Sequence, residues 1–505
     1  MKLRWRVAAA ALFVGELIAA PSLIGVQARE IERQARLEIA RQASKIGDVL
    51  SWGQALMPEK FRLPFCAPLH GHLVTTRKDK FVSTEAPRGH AKTTVSCMLI
   101  PLFQGLVEPH AFRMYLNIQA NSEKALAVNR AIKVEIEQNE LIRELYGDQV
   151  GKDRWTDAVF VLKNGVIYAA DGAGASIRGI NYRGTRPAYI ACDDLFDTDQ
   201  DANSPTSTEK KNAWFWSALY PALAQDRPTS THVTGTAVNN VDLYEKLKSD
   251  PTVTSRTFKA ITDWDKKTVL WEGLKTFEEF EQMRLRMGTL IFSREFQNER
   301  RDDSTSIIKT SWLYPDDGGK NWEYDPLALK FDEHFSYQAG VVSLDPSIGG
   351  KKQSDRSGYA VVLRGQRDDG TLPVFYIESI VNELHSWQQR IDTVKSLIAG
   401  RPSERPITKV RVEAIAGFRD VGDRIAASVS IPTDLIDHVP NKLTNLERKS
   451  HLFENRRVYL NKNIVPALKA ELTAQLVTNT PKHDDIRDAV LMGLDEVDVD
   501  WGSWV

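Results

Sequence analysis

The stretch Ser83-Thr84-Glu85-Ala86-Pro87-Arg88-Gly89-His90-Ala91-Lys92-Thr93-Thr94 constrains this chain more than any other. It follows a short β-branched run, Phe81-Val82-Ser83-Thr84, and precedes an apolar segment over residues 95–103, so it reads as strand, loop and helix. A loop in that setting suits phosphate. Backbone N–H groups at a helix N-terminus face the oxygens, a lysine neutralises them, and a hydroxyl helps to hold Mg²⁺. Against the pattern GxxxxGK(S/T), Lys92-Thr93 match, while both glycines are replaced, by Ala86 and Ala91. A basic turn ahead of a buried helix accounts for the same residues, so the rest of the chain has to decide.

A chain of 505 residues is too long for one core and calls for two or three domains. Apolar residues at 42% and charged residues at 26% are ordinary for a globular protein. With a net charge of −1, any nucleic-acid partner must be held by local basic patches and not by a global field. Cys66, Cys97 and Cys192 are scattered and odd in number, which suits a reducing compartment and argues against a disulfide framework or structural zinc. Lys2, Arg4 and Arg6 precede an apolar run over 7–20 that looks like a secretory signal. Glu16 sits inside that run, Pro21 interrupts it, and a charged helical pattern continues over 29–41. An N-terminal helix packing on a partner, a true signal or anchor, and a misplaced start codon all remain open. The expectation is a helical segment over 1–60 in a cytoplasmic protein.

Residues 30–60 carry apolar positions on one helical face. A Pro- and His-rich loop (63–72) then leads to the strand before the phosphate loop. Residues 113–118 read as a strand and Ser122–Gln138 as an amphipathic helix. Two β runs, 158–163 and 165–170, meet at Asn164-Gly165, a hairpin signal. A loop containing Arg178, Arg183 and Arg186 feeds Ala188-Tyr189-Ile190-Ala191-Cys192-Asp193-Asp194, a buried-type strand ending in two carboxylates. In a nucleotidase the first can hold hydrated Mg²⁺ and the second can polarise the attacking water. After a helical segment (209–223), the β run 231–237 ends in Thr234-Gly235-Thr236, hydroxyls suited to sensing a γ-phosphate; a plain strand-to-turn transition fits as well. Ligands of an α/β sheet sit at the carboxyl ends of its strands, and these features all fall there.

From 300 to 337 the chain is turn-rich and charged, placing a domain boundary near 325–338. Strands follow over 340–344 ending at Asp345, over 359–363 and over 374–380. A helix over 384–398, a strand over 410–413 ending at Glu413 and a probable strand over 433–436 come next. The last helix carries His483-Asp484-Asp485-Ile486-Arg487-Asp488. Three strands, helix, strand, helix, with acids at these positions, is the plan of RNase H-like nucleases. Cutting a phosphodiester by the two-metal route needs three or more carboxylates around ions about 4 Å apart. Asp345, Glu413 and the Asp484, Asp485 and Asp488 group meet that need only if the fold gathers them. Asp355 could assist and His483 could tune the site; acids opening a helix also simply favour its dipole. Lys351, Lys352 and Arg356, and Lys442, Arg448, Lys449, Arg456, Arg457 and Lys462, are candidates for DNA-backbone contacts or for a solvated face.

Together these residues resemble the large subunit of viral (bacteriophage or prophage) terminases over roughly residues 60–495. The matching stretches are 86–93, Asp193-Asp194, Thr234-Gly235-Thr236, Arg294-Glu295-Phe296-Gln297-Asn298-Glu299, Ser343-Leu344-Asp345-Pro346, Ser354-Asp355-Arg356-Ser357-Gly358, Val412-Glu413 and Lys482-His483-Asp484-Asp485. The resemblance implies an α/β chain with two domains. One is an ASCE-type P-loop ATPase with a mostly parallel sheet over 61–325, closed by a helical segment near 271–300. After a linker (326–337), an RNase H-like nuclease follows over 338–505. It implies nucleotide contacts from Pro87 through Thr94, Arg88 on the γ-phosphate, Thr93 and Asp193 on Mg²⁺, Asp194 as catalytic carboxylate, and Thr234 to Thr236 in coupling. Many ATPases place Glu where Asp194 stands. For the nuclease it implies Asp345, Glu413 and one or both of Asp484 and Asp485 as ligands of Mg²⁺ or Mn²⁺, with Asp488 beside them. Implied cofactors and partners are ATP, double-stranded DNA, a small terminase subunit and a portal ring on a procapsid, with the motor acting as a ring oligomer. A helicase-nuclease or transposition-type ATPase shares both chemistries but would need helicase motifs not recognisable after Thr236. A secreted or membrane-tethered protein takes the N-terminus at face value.

Overall fold

The computed structural model of the chain describes residues 23–177, 180–196, 201, 204–300, 306–315, 321–326, 335–346, 356–367, 372–414, 419–437, 442–481 and 483–497. The apolar run at 7–20, Arg178, Lys351, Lys352, Asp355 and Lys482 lie outside the described residues, as does much of 326–337. Two compact units result, one comprising Met1–Phe280 with Ser293–Arg300 and the other Glu281–Phe292 with Arg301–Val505.

The first unit is built on an eight-stranded sheet among its described residues. In chain order its strands are β1 (Phe81–Glu85), β2 (Met114–Gln119), β3 (Val150–Trp155), β4 (Val159–Leu162), β5 (Ile167–Gly172), β6 (Tyr189–Asp193), β7 (Ser230–Gly235) and β8 (Thr254–Thr257). They lie in the order β3-β4-β5-β2-β6-β7-β1-β8, parallel throughout except for the antiparallel β3–β4 and β4–β5 pairs. Numbering β1, β2, β6, β7 and β8 from one to five gives 5-1-4-3-2 across the sheet, the expected ASCE arrangement. Strands β1, β2, β6 and β7 are buried along their whole length, as a sheet covered on both faces requires. One apolar core around Trp52, Leu99, Phe103 and Tyr189 and another around Ile118, Ile190, Phe215 and Val233 provide that cover.

Several elements differ from the sequence expectation. The helix expected over 30–60 is two helices, Leu23–Ile46 and Val49–Leu56; Gly47 turns the chain at φ +71° and Asp48 caps the second through the Ser51 N–H. The segment after the phosphate loop opens as a π turn over Thr94–Leu99 and becomes α-helical only at Ile100–Val107. Pro101 has no N–H to donate, and the ladder widens there, with Ile100 N–H reaching Val95 O. A small hairpin, β9 (Ile261–Asp263) and β10 (Thr268–Val269), follows the sheet. Among the described residues no helix is long and apolar enough to cross a membrane.

The second unit carries β11 (Glu323–Tyr324), β12 (Phe335–Asp345), β13 (Ser357–Arg367), β14 (Val374–Glu383), β15 (Lys409–Glu413), β16 (Thr433–Ile436) and β17 (Val458–Asn461). They form a mixed sheet ordered β11-β17-β14-β13-β12-β15-β16. The meander β12–β13–β14 is antiparallel; β15 joins β12 in parallel and β16 joins β15. The central order 3-2-1-4-5 is the RNase H-like plan. Alternation along β12 sorts its side chains to two faces. Val341 joins a core with Ile486, Ala489 and Val490 of the closing helix Asp485–Val497, whereas Val342 and Leu344 join Ile391, Val394, Val421 and Ile425 on the other face. Gly358, paired with Asp345, lets the closing helix start directly on the sheet: a Cβ there would lie 2.1 Å from the backbone oxygen of Asp485. Gly358→Ala is therefore expected to destabilise this unit by about 2 kcal/mol through overpacking, measured by denaturant unfolding of the full chain.

Candidate active sites

In the first unit β1 ends at Glu85, in register with Gly235 of β7, and Ala86 N–H donates to Gly235 O at 2.9 Å. The loop then turns through two left-handed residues, Gly89 (φ +76°) and Ala91 (φ +56°). Ala86 needs no such conformation and packs in the core. Of the two replaced glycines, only position 91 is strained, at about 1 kcal/mol for an L-residue in that region. His90 points into the core. Its ring stacks on Phe280 and its Nδ1 lies 3.0 Å from Arg88 O, while His70 Nε2 is 3.0 Å from His90 O. Its side chain thus braces the loop from beneath, with burial holding its pKa down at about 4.

Lys92 and Thr93 open the helix and face the ends of β6 and β7. Lys92 Nζ lies 3.1 Å from Thr236 Oγ1 and 3.2 Å from Asp194 Oδ2. Burial opposes its charge, yet the adjacent Asp194 and Asp193 hold its pKa above the ordinary value. The Thr93 hydroxyl donates to Asp193 Oδ2, while Asp193 Oδ1 is buried without a partner among the described atoms. Burial first, and then the charge of Asp194, push Asp193 from 3.8 up to about 7. A hydroxyl and a buried carboxylate oxygen lacking a partner are the donor chemistry that Mg²⁺ takes. Asp194 sits at φ +41°, its N–H donating to Thr234 O at 2.9 Å and its Oδ1 accepting from Thr236 N–H at 3.1 Å. Gly235 must be glycine: a Cβ would meet the Tyr244 hydroxyl at 1.9 Å. The structure therefore brings Lys92, Thr93, Asp193, Asp194 and Thr236 together.

Two partners of this site, Glu295 and Arg300, fall in or beside the segment read as closing the ATPase but were given no role of their own in the sequence. Glu295 receives the Arg88 N–H at 2.9 Å on its carbonyl and lies 3.6 Å from the Arg88 guanidinium. Arg300 is buried against Glu85 and Asp242, at 2.9 Å from the latter, and Lys248 lies 2.7 Å from Glu85. Neither has a local pattern, because each partner is more than fifty residues away.

In the second unit alternation places Asp345 on the same face as Val341 and Ser343, whose Oγ donates to Ala489 O of the closing helix at 2.6 Å. Glu413 ends β15 beside it, on the face where Arg411 donates to Met492 O at 2.8 Å. Asp485 and Asp488 open the closing helix above them. Burial and then the field of Glu413 drive Asp345 well above the carboxylate range; burial also raises Glu413, which accepts a hydrogen bond from Asp345. Asp485 is raised to about 6 by burial and by Asp484. Lys442 Nζ stands 2.8 Å from Asp484 Oδ2 and 2.6 Å from Asp488 Oδ2, and buried Arg487 lies 3.2 Å from Asp484. Among the described residues no three His, Cys, Asp or Glu side chains stand ready as a metal-holding group. The acids that gather are all hard oxygen donors, fit for Mg²⁺ or Mn²⁺, with an ammonium now supplying the positive charge.

The basic run proposed for DNA is not one face. Lys449 is buried with Asp495 at 3.0 Å. Arg457 is buried, donating to Pro373 O at 2.8 Å with its guanidinium 5.3 Å from the Phe375 ring, and Lys462 pairs with Asp325. Packing claimed Lys449 and Arg457, whose long stems cover apolar surface, while Lys462 stays exposed. Arg356 and Arg456 remain exposed.

No protein-family model matches the sequence, and no curated protein matches it. Among solved structures the chain is similar to the HK97 bacteriophage large terminase at 14% identity, covering 85% of this chain and 94% of that one with a TM-score of 0.35. It is similar to the human cytomegalovirus terminase nuclease domain at 16% identity, 37% and 94% coverage and a TM-score of 0.28. The Phi-28 gp11 DNA packaging motor matches at 11% identity, 82% and 98% coverage and a TM-score of 0.25. The strand orders and site geometry stand independently of these low scores.

Two outcomes follow from the geometry. Asp193 has a folded-state pKa raised from 3.8 to about 7, so its contribution to stability is present at low pH and is lost as pH rises through about 7. Asp193→Asn should accordingly melt higher than the unaltered protein at pH 8 without metal, with the gap closing by pH 4. Ala91→Gly should raise stability by up to about 1 kcal/mol by relieving the left-handed residue, measured by thermal unfolding.

Proposed function

We propose that the chain is the large subunit of a viral DNA-packaging terminase, an ATP-hydrolysing motor that also cuts DNA with a metal-dependent endonuclease. The observation that carries the reading is the pairing of two chemistries in one chain, each at the carboxyl ends of its own sheet. Lys92, Thr93, Asp193 and Asp194 form one; Asp345, Glu413 and the Asp484–Asp488 turn form the other.

In the first unit the backbone N–H groups of the loop after Arg88 and the Lys92 ammonium hold the phosphates of ATP, with the Arg88 side chain turned from Glu295 to the γ-phosphate. Thr93 and Asp193 would hold Mg²⁺, which would supply neutralisation of the phosphate charge. Binding of phosphate draws Lys92 away from Asp194, leaving that carboxylate to orient the attacking water. Thr234, Gly235 and Thr236 sense the change because Thr236 touches both Lys92 and Asp194.

In the second unit Asp345, Glu413 and Asp485, with Asp484 and Asp488 beside them, would hold Mg²⁺ or Mn²⁺. When bound, the metal supplies an activated water and stabilises the leaving oxygen. The work done by ATP is translocation of double-stranded DNA into a procapsid, and the cut separates one genome from a concatemer. The partners are a small terminase subunit and a portal ring, with several copies of this chain acting as a ring in the host cytoplasm.

Lys92→Ala should lower ATP hydrolysis by about a hundredfold or more while Mn²⁺-dependent plasmid nicking continues. Asp345→Ala should abolish nicking and spare ATPase activity. Nicking that vanishes with Lys92→Ala yet survives Asp345→Ala refutes the two-site assignment.

A further inference from the structure

The loop between β14 and the helix Trp387–Ala399 leaves two large apolar side chains in solvent at the edge where the nuclease acids lie. Leu384 is 63% exposed and Trp387 45%. The helix itself is firmly started: Ser386 and Gln389 form a reciprocal capping box. Trp387 is thus rigidly placed and not fraying. Two guanidinium groups flank its indole at 5.8 Å each, Arg390 from the same helix and Arg424 from the neighbouring helix Arg419–Ser428. Nearby acids are already engaged, Glu383 with His385 at 3.0 Å and Asp420 with Arg424 at 3.1 Å.

Sheet register places the strand end that leads into this cluster at the edge where the acids lie. Ser357 pairs with Glu383 and Gly358 with Asn382, while Gly358 pairs on its other side with Asp345. The end of β14 is therefore two strand spacings, about 10 Å, from Asp345. Arg390 Nε ties the helix to that edge by donating to Ser357 Oγ at 3.1 Å, and Arg356 is exposed at the start of β13. The helix that carries Trp387 begins just beyond this strand end, at the same edge of the sheet as Asp345.

We propose that Trp387, edged by Leu384 and Arg424, is a stacking platform for a nucleobase of the strand that flanks the cut. The proposal rests on the nuclease reading of the second unit and adds how that site grips an unpaired or distorted strand. An exposed indole flanked by guanidinium groups has the composition of sequence-tolerant base-stacking surfaces, since every base offers a π-face.

The test compares the full-length protein, Trp387→Ala and Trp387→Phe in Mn²⁺-dependent cleavage of two substrates. One is a duplex oligonucleotide with a short unpaired bubble. The other is thymidine 5′-(p-nitrophenyl phosphate), which is too small to reach Trp387. Trp387→Ala should raise KM for the oligonucleotide about tenfold, Trp387→Phe should restore it, and neither should alter hydrolysis of the small diester. An unchanged oligonucleotide KM in Trp387→Ala overturns the proposal. If the same variant shifts the oligomeric state on size-exclusion chromatography with KM unchanged, this edge is a contact between copies and the proposal falls. If the unaltered protein hydrolyses neither substrate, the nuclease reading fails and the platform with it.

Discussion

Burying carboxylates without losing the fold is the constraint on which both halves of this molecule depend. Each sheet gathers acids at its carboxyl edge, and each site meets their mutual repulsion with a lysine ammonium, joined in the second by the guanidinium of Arg487. Lys92 lies against Asp194 beside the fully buried Asp193; Lys442 lies between Asp484 and Asp488. An unpaired buried charge costs far more than the pair is worth, so the sheets tolerate these clusters only while a cation stands among them. The arrangement has a chemical corollary. A site held together by an ammonium is one where a divalent cation can take over the charge that the carboxylates need, and where a phosphate can take over the ammonium.

Much of this plan was legible in the sequence, for identifiable reasons. Ala188 to Cys192 is a continuous apolar run capped by two acids, and a run of that kind forms a strand buried on both faces, so Asp193 could be placed at a strand end before any coordinates. Asp345 and Glu413 were readable in the same way, as carboxylates closing β-branched segments. The helix Ser122–Gln138 was legible from its amphipathic pattern. Strand β8 was not, because Thr254–Thr257 is polar and exposed on an outer edge and carries no alternation to detect. The left-handed state of Ala91 was hidden as well, since alanine gives no hint of a φ that glycine would announce.

The residues that sequence reasoning missed share a property: their roles exist only in three dimensions. Glu295, quoted in sequence only as part of a matching stretch, matters through Arg88, some two hundred positions earlier in the chain. Lys442 looked like one more cation in a basic run until the closing helix set Asp484 and Asp488 against it. Lys449 and Arg457 ran the other way, from expected surface cations to buried supports. Charge counted along a sequence does not say which side of the boundary with water it will occupy, because long side chains can serve packing and solvation equally.

Arg300 is the last residue of the first unit before the chain leaves it, and it is clamped to Glu85 at the foot of the phosphate loop and to Asp242 after β7. Asn298, two residues earlier, donates to Phe258 O at 2.7 Å and accepts the Ala237 N–H at 2.9 Å. The departing segment is thereby pinned to the ends of three neighbouring strands at once. In mechanical terms there is no slack inside the first unit between the phosphate loop and residue 300: the strand that supports the loop and Arg300 are joined directly, by one ion pair.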